Sequence, residues 1–216
     1  VLVGCDASGL ELRMLAHYMR DKDYVKTVCE GSSKDGTDVH TVNQKAAGLQ
    51  TRDQAKTFIY AFLYGAGPAK IGSIVGGSSK AGQQLINAFL KGTPALQRLR
   101  DKVSLYASEG YVPAFDGRKI WVRSEHAALN SLLQGAGAIV MKKALCILNE
   151  TIVKNKWDAK FVVNVHDEFQ IECKAEIADT VGKAAVQSIV EAGLAFKLRC
   201  PLDGAYKIGR NWRETH

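Results

Sequence analysis

Three ionisable residues interrupt the most strand-like stretch of the chain, FVVNVHDEFQIEC, where His166, Asp167 and Glu168 separate two alternating apolar runs. Charge inside a sheet is costly to bury unless something compensates it. These residues therefore either sit at a solvated hairpin tip or hold a cation. Asp6, which ends the strand-like VLVGCD, is the second candidate. Alone, an Asp before a helix reads as an N-cap. Two aspartates at the ends of separate strands can instead converge on divalent metal. Two-metal sites hold ions about 3.5–4 Å apart and stabilise the attacking and leaving oxygens of an in-line displacement. Mg²⁺ suits such a set, because it takes oxygen ligands, keeps waters and shares phosphates. Zinc suits it less, since the sequence has no His-Glu-x-x-His and no paired Cys/His spacing.

A second group recurs every four residues: Arg52, Lys56, Tyr60 and Tyr64. At 3.6 residues per turn, each step advances ~40° beyond a full turn, so the four form one slowly winding stripe on a helix. Phe58, Ile59, Phe62 and Leu63 can supply the buried side. Two cations followed by two aromatics suit a polyphosphate and then a base or sugar. The plainer reading is a solvated basic turn with two half-buried tyrosines. A third group, His126, Asn130 and Gln134, repeats the spacing with neutral hydrogen-bonding side chains, next to the small residues Ala136, Gly137 and Ala138. Such a stripe can lie against a polyanion or base edges, or pack against another helix.

These residues need elements to position them. VLVGCD reads as a strand and Gly9–Arg20 as a helix, followed by a polar, loop-like stretch over 21–38. Thr51 and Gln54 have capping-box spacing and open a helix that runs to a Gly65-x-Gly67-Pro68 stop. Helices follow over about 80–91 and 94–108. Asp116-Gly117 then divides VPAFDGRKIWVR into a hairpin. A helix over about 126–149, the hairpin of residues 161–173, a helix over about 176–196 and a short tail complete the chain. Strand, helices, hairpin, helix, hairpin, helix is an α+β order, a small antiparallel sheet carrying a helical insertion. The first strand and the late hairpin can meet only if the helices between them form a subdomain.

The chain has 216 residues, 46% apolar and 24% charged, with a net charge of +7. That composition is ordinary for a globular protein, and the basic excess favours an anionic partner such as nucleic acid or nucleotide. The five cysteines are widely spread without a Cys-x-x-Cys pair. Four lie in apolar surroundings and read as reduced, buried thiols of an intracellular, cytoplasmic protein. The apolar runs read as too short to cross a bilayer, so no membrane partner is expected. The N-terminus has neither Met nor a basic leader and reads as the middle of a domain.

Taken together, DASGLELR, RDQAKTFIYAFLYG, HAALNSLLQGAGA and VHDE resemble, in order and spacing, the signature segments of family A DNA polymerases. DVHTVNQ, FLYGAG, DGRK and VRSEHAALN make the chain most similar to the replicative form of short-tailed phages, and the resemblance runs to the IGRNW tail. It implies the polymerase right-hand fold: palm over 1–37, fingers over 38–110 and the rest of the palm over 111–216, with the thumb and exonuclease domain absent. A missing N-terminal polymerase portion would then be a partner, and phage origin would place the protein in the host cytoplasm.

The resemblance also implies roles. Asp6 and Asp167 match the aspartates that hold two Mg²⁺ ions, with the Ala7 carbonyl as a backbone ligand. Arg52, Lys56 and His40 match contacts to the incoming deoxynucleoside triphosphate, Lys56 also serving as acid for the leaving pyrophosphate. Glu11, held by Tyr64, matches the residue that crowds the sugar 2′ position. Tyr60 matches the position where tyrosine goes with acceptance of chain terminators. His126, Asn130, Gln134 and His166 match contacts to primer–template DNA, and Glu168 matches a second acidic residue without an assigned role. The implied activity is template-directed DNA synthesis. Two alternatives stay open: a single-subunit phage-type RNA polymerase, against which Glu11 and Tyr60 argue, and a non-catalytic nucleic-acid-binding remnant.

Overall fold

A computed structural model describes residues Val1–His216. Six strands and ten α-helices alternate as β1 (Leu2–Ala7), α1 (Leu10–Met19), α2 (Lys22–Glu30), α3 (Val39–Ala47), α4 (Arg52–Leu63), α5 (Pro68–Ile74), α6 (Ser79–Gly92), α7 (Pro94–Ala107), β2 (Tyr111–Pro113), β3 (Lys119–Trp121), α8 (Glu125–Lys154), β4 (Ala159–Val165), β5 (Glu168–Cys173), α9 (Ala178–Ala195), β6 (Gly204–Gly209) and α10 (Trp212–Thr215). The fold class is α+β, as the order of elements predicts. Two compact units result, residues 1–14 with 135–216, and residues 15–134.

The first unit is built on a four-stranded antiparallel sheet of order β4-β5-β1-β6. The first strand does meet the late hairpin, and it lies in the middle of the sheet. Val3, Cys5 and Ala7 alternate inward and are buried, as a half-buried strand requires. Helix α9 packs on β1 and β6, burying Val181, Ala185, Ile189 and Ala192. Gly4 has a packing reason: a Cβ there would overlap the Gln170 side chain and the Thr215 backbone. The tail expected after residue 196 is structured, because β6 completes the sheet and α10 covers β1 and β6.

The helical unit forms its core around α4. Ala55, Phe58, Ile59, Phe62 and Leu63 are buried, leaving Arg52, Lys56, Tyr60 and Tyr64 on the opposite side. Phe58 and Phe62 meet Phe89 of α6 edge-to-face, with centroids 5.0 and 5.5 Å apart, the arrangement the aromatic quadrupole favours. Both halves of the capping box form: Gln54 N–H donates to the Thr51 hydroxyl, and Thr51 N–H donates to the Gln54 side chain. Gly65 ends the helix at φ +76°, where any Cβ would collide with the His126 carbonyl. The chain does not leave helix there for long, since Pro68 occupies the first turn of α5, where a missing N–H costs nothing.

The polar stretch over 21–38 is not all loop. Asp21 caps α2, accepting from Asp23 and Tyr24 N–H, and Tyr24 is buried. Polar composition hid one apolar contact that holds a short helix. Helix α3 follows from its own cap, Asp38. Residues 15–37 and 111–134 group with the helical unit, so the contact-defined boundary differs from the expected domain limits. The Asn43 amide of α3 reaches the Tyr24 hydroxyl at 3.5 Å, and β2 packs on α7.

Two further expectations need correction. Helix α8, at 30 residues, is long and apolar enough to cross a bilayer by length and composition alone, although half of its most apolar window is buried within the protein. Interspersed Lys142, Lys143 and Glu150 break its apolar runs in sequence but not its length as a helix. Of the cysteines, which are all free, only Cys5, Cys173 and Cys200 are buried; Cys29 is half-buried and Cys146 exposed, because its helix turns it outward.

Candidate active site

Asp6 and Asp167 come together through the backbone. Antiparallel register pairs Asp6 of β1 with Glu168 of β5, and the two-residue turn His166–Asp167 joins β4 to β5 beside it. His166 adopts φ +53°, a left-handed conformation that histidine enters more readily than bulkier or β-branched residues. The Ala7 N–H donates to the Asp167 carbonyl at 2.9 Å, tying the end of the first strand to the hairpin tip. Asp6 lies inside the strand, three residues before the helix-capping position, so it does not serve as the cap of α1.

The electrostatics fit a cation. Partial desolvation, then the Asp167 and Glu168 charges, push the Asp6 carboxyl from 3.8 up to about 6, with His216 and Lys207 opposing. Neither Asp6 nor Asp167 forms an ion pair with a basic side chain. No group of three or more acidic, His or Cys side chains forms a ready metal cage. What is present is an uncompensated pair of carboxylates with a neighbouring carbonyl. That is an all-oxygen donor set that suits an ion such as Mg²⁺, which fills its remaining positions with water and phosphate.

Glu168 is different from its neighbour. It is only 5% exposed, and both of its oxygens are engaged. Oε1 accepts from Gln170 Nε2 and from Trp212 Nε1 (2.8 Å), and Oε2 pairs with His216 Nδ1. The Thr215 hydroxyl in turn donates to Gln170 Oε1 at 2.8 Å. Burial works to raise the Glu168 carboxyl, but the bonds from Gln170, His216 and Trp212 outweigh it and hold it low. A solvated turn carboxylate was one expectation for this residue. The tail overturns it by folding back over the polar face of β5. A polar network this complete rigidifies the sheet edge beside Asp6 and Asp167. Trp212, Gln170 and Thr215 carried no sequence signal beyond the IGRNW tail.

In the helical unit, α4 presents its stripe as expected. Tyr60 and Tyr64 rings lie 6.4 Å apart, and the His40 ring stands 6.2 Å from Tyr60. His40, Arg52 and Tyr60 thus gather, with Lys56 exposed on the same face. Burial, then Arg52 and Lys56, lower the His40 pKa against the pull of Asp38, which favours a neutral imidazole near pH 7. Arg52 is engaged by Asp38, the first residue of the DVHTVNQ segment, to which the resemblance gives no role. Asp38 Oδ1 accepts from Arg52 Nε (3.0 Å) and Nη2 (2.9 Å). Burial would raise the Asp38 carboxyl, but Arg52, the Thr41 hydroxyl and the His40 N–H together hold it at about 2. The signal available was Asp38-x-x-Thr41 ahead of a helix, a capping pattern.

His126, Asn130 and Gln134 lie along the accessible side of α8, while Ala128, Leu129, Leu132 and Leu133 are buried. A cavity of about 270 Å³ opens beside the end of α4 and the start of α8, lined by Phe62, Gly65, Pro68, Glu125 and His126. The Arg100 guanidinium, also at its wall, sits 5.7 Å from the Phe62 ring centre. Glu11 lies in the first turn of α1 and is half-buried. Tyr64 ends α4 and is 52% exposed.

The chain is 43% identical to a DNA-directed DNA polymerase of Enterobacteria phage T3 and 42% identical to that of Escherichia phage T7, in each case over all of this chain and 33% of the relative. It therefore spans about a third of the length of these relatives. Among solved structures, the POL domain of Pol1 from M. smegmatis, in complex with DNA primer-template and dNTP, superposes with a TM-score of 0.84. That match covers 98% of this chain and 40% of the other at 22% identity, a likeness of fold. The family model for DNA polymerase family A matches residues 1–214, and the chain belongs to that family.

Proposed function

We propose that the chain carries the nucleotidyl-transfer centre of a DNA-directed DNA polymerase, extending a primer with deoxynucleotides on a template. The observation that carries this reading is the Asp6–Asp167 pair, joined through the Ala7–Asp167 backbone bond and left without a cationic side-chain partner. In this reading residues 1–37 and 111–216 form the palm and 38–110 the fingers. Asp6, Asp167 and the Ala7 carbonyl would hold two Mg²⁺ ions, which would supply the positive charge that such a reaction needs.

Phosphoryl transfer asks for positioning and charge neutralisation rather than covalent work by the protein. The primer 3′-hydroxyl releases its proton to solvent as its oxygen bonds to the α-phosphorus, and the bond from that phosphorus to the bridging oxygen breaks. Pyrophosphate leaves with its charge met by Arg52 and Lys56, the neutral His40 imidazole offers it an N–H, and the Lys56 ammonium gives it a proton. Glu11 with Tyr64 selects the deoxy sugar, and Tyr60 faces the nucleotide. His126, Asn130, Gln134 and His166 contact the primer–template. The excess of basic residues serves the phosphate backbone, so DNA binding weakens steeply with salt. A further polymerase portion supplies the thumb's grip on duplex DNA.

The test is Mg²⁺-dependent primer extension by the polypeptide that carries this chain, comparing the native protein with Asp167→Ala. The substitution is expected to abolish extension while leaving the circular dichroism spectrum and melting cooperativity intact. Retained extension would overturn the metal assignment. Preference for ribonucleotides would point to an RNA polymerase, and DNA binding without extension to a scaffold.

A further inference from the structure

Asp38 lies outside the residues to which the family resemblance attaches a role, yet it is heavily engaged within the helical unit. Its backbone position caps α3, with Oδ1 accepting from the His40 N–H at 3.2 Å, and its Oδ2 accepts from the Thr41 hydroxyl at 2.6 Å. Oδ1 also receives Nε and Nη2 of Arg52. The Asp38 side chain is 10% exposed, against 40% for Arg52. The carboxylate is therefore fixed to its own helix by two donors and would stay there without the arginine. It is the anchor of the pair, and Arg52 is what it anchors.

A guanidinium has five N–H donors in a planar fork. Asp38 takes donors along one edge, from Nε and Nη2, which leaves Nη1 and the second hydrogen of Nη2 for another acceptor. An unrestrained arginine loses rotamer freedom when it closes on an anion, and one held by its inner edge has already lost it. Lys56 stands one turn further along the same face of α4, and His40 follows two residues after Asp38. One buried carboxylate thus fixes the arginine and starts the helix that carries the histidine.

We propose that Asp38 is a positioning residue for the triphosphate, holding Arg52 so that its outer edge is pre-aligned for the nucleotide's phosphate oxygens. The inference rests on the nucleotidyl-transfer reading of this chain. Asp38 touches no substrate in this scheme and acts only through Arg52. Its negative charge lies on the guanidinium edge away from the phosphates, so alignment outweighs repulsion.

Asp38→Asn is the informative variant, because asparagine caps a helix as well as aspartate does, its amide can donate to the Thr41 hydroxyl in place of accepting from it, and the charged grip on Arg52 is lost. Steady-state incorporation of a single deoxynucleotide by the polypeptide that carries this chain is the measurement. The nucleotide KM should rise about tenfold with kcat held within about twofold, the signature of a weakened charge-assisted contact in the ground state. Thr41→Val, which removes the second support of Asp38, should move KM the same way by about threefold. In an Arg52→Ala background, Asp38→Asn should have no further effect, since residues acting through one contact are not additive. An unchanged or lowered KM in Asp38→Asn overturns the proposal, the lowered value showing that the carboxylate competes with phosphate. Additive effects in the double variant overturn it as well. If Arg52→Ala itself leaves KM unchanged, the nucleotidyl-transfer reading of α4 fails instead, a result distinct from a failure of Asp38 alone.

Discussion

Asp6 and Asp38 are chemically the same residue, one near the end of a strand and one at the start of a helix, and their surroundings drive them in opposite directions. Asp6 has Asp167 and Glu168 as neighbours, and its carboxyl rises to about 6. Asp38 has Arg52, a hydroxyl and an N–H, and its carboxyl falls to about 2 although its side chain is largely shielded from solvent. Desolvation works to raise both carboxyls: at Asp6 it is the largest influence and the Asp167 and Glu168 charges add to it, whereas at Asp38 the partners override it. The sheet unit concentrates negative charge and leaves Asp6 and Asp167 without an ion pair, as a site for a cation must. The helical unit meets its buried charge internally and uses it to orient a cation toward the outside. One region is incomplete by design of its charges, and the other is already satisfied.

The largest break in that contrast comes from removing a member of the unmet pair. Asp167→Ala should lower primer extension by at least about a thousandfold, on the scale at which charge stabilisation in transition states operates. Loss of less than about tenfold, measured with saturating Mg²⁺ and nucleotide, would mean that the pair is not the reacting centre.

A stability measurement separates Glu168 from its acidic neighbours. Trp212→Phe deletes the indole N–H that Glu168 Oε1 accepts. The loss should cost about 1–3 kcal/mol in urea unfolding, the range for a buried acceptor deprived of a donor. An unchanged midpoint would show that the tail is not anchored through Glu168.

Titration tests the opposite shifts directly. A carboxyl with a higher pKa folded than unfolded binds its proton more tightly in the folded chain. The contribution of Asp6 is therefore full below about 3.8 and lost as pH rises through about 6. Asp38 is the reverse, stabilising above about 3.8 and losing that contribution as pH falls toward about 2. In metal-free buffer the melting temperature of native chain relative to Asp6→Asn should fall between pH 4 and 7. Relative to Asp38→Asn it should be flat in that window and fall only below it. Parallel curves for the two variants would erase the comparison.

The smallest expected effect is on selectivity. Tyr60→Phe should raise discrimination against dideoxynucleotides with little change in extension by ordinary deoxynucleotides. No change in the ratio of incorporation efficiencies would remove Tyr60 from the nucleotide's surroundings.

Much of the framework was legible because it is local. The capping box of Thr51 and Gln54, the buried face Phe58-Ile59-Phe62-Leu63 and the Asp116-Gly117 turn all act within one or two turns of chain. The elements that escaped notice in polar or short stretches are α2, α3, α5, β6 and α10. Three of them, α2, α3 and α10, show why. Each is held by a cap from Asp or Asn together with a buried contact that composition does not display. Helix α8 matches the expected span and runs five residues past its expected end at about 149.

The sequence by itself determined the periodicities: which face of α4 is buried, where the hairpins turn, and that Asp6 and Asp167 each end or join a strand. It could do so because hydrogen bonding and side-chain direction in helices and strands repeat over a few residues. Only the tertiary structure decided the partners. Asp6 meets Glu168 across a gap of 162 positions because of antiparallel register, Glu168 is closed off by Trp212 and His216 some 44 and 48 residues later, and Arg52 finds Asp38 14 residues back. Charge interactions depend on distance and dielectric, which no local pattern encodes. The same residue type was therefore readable as acidic from the sequence, but whether it would be left unmet, locked or used as an anchor was settled by what the fold brought beside it.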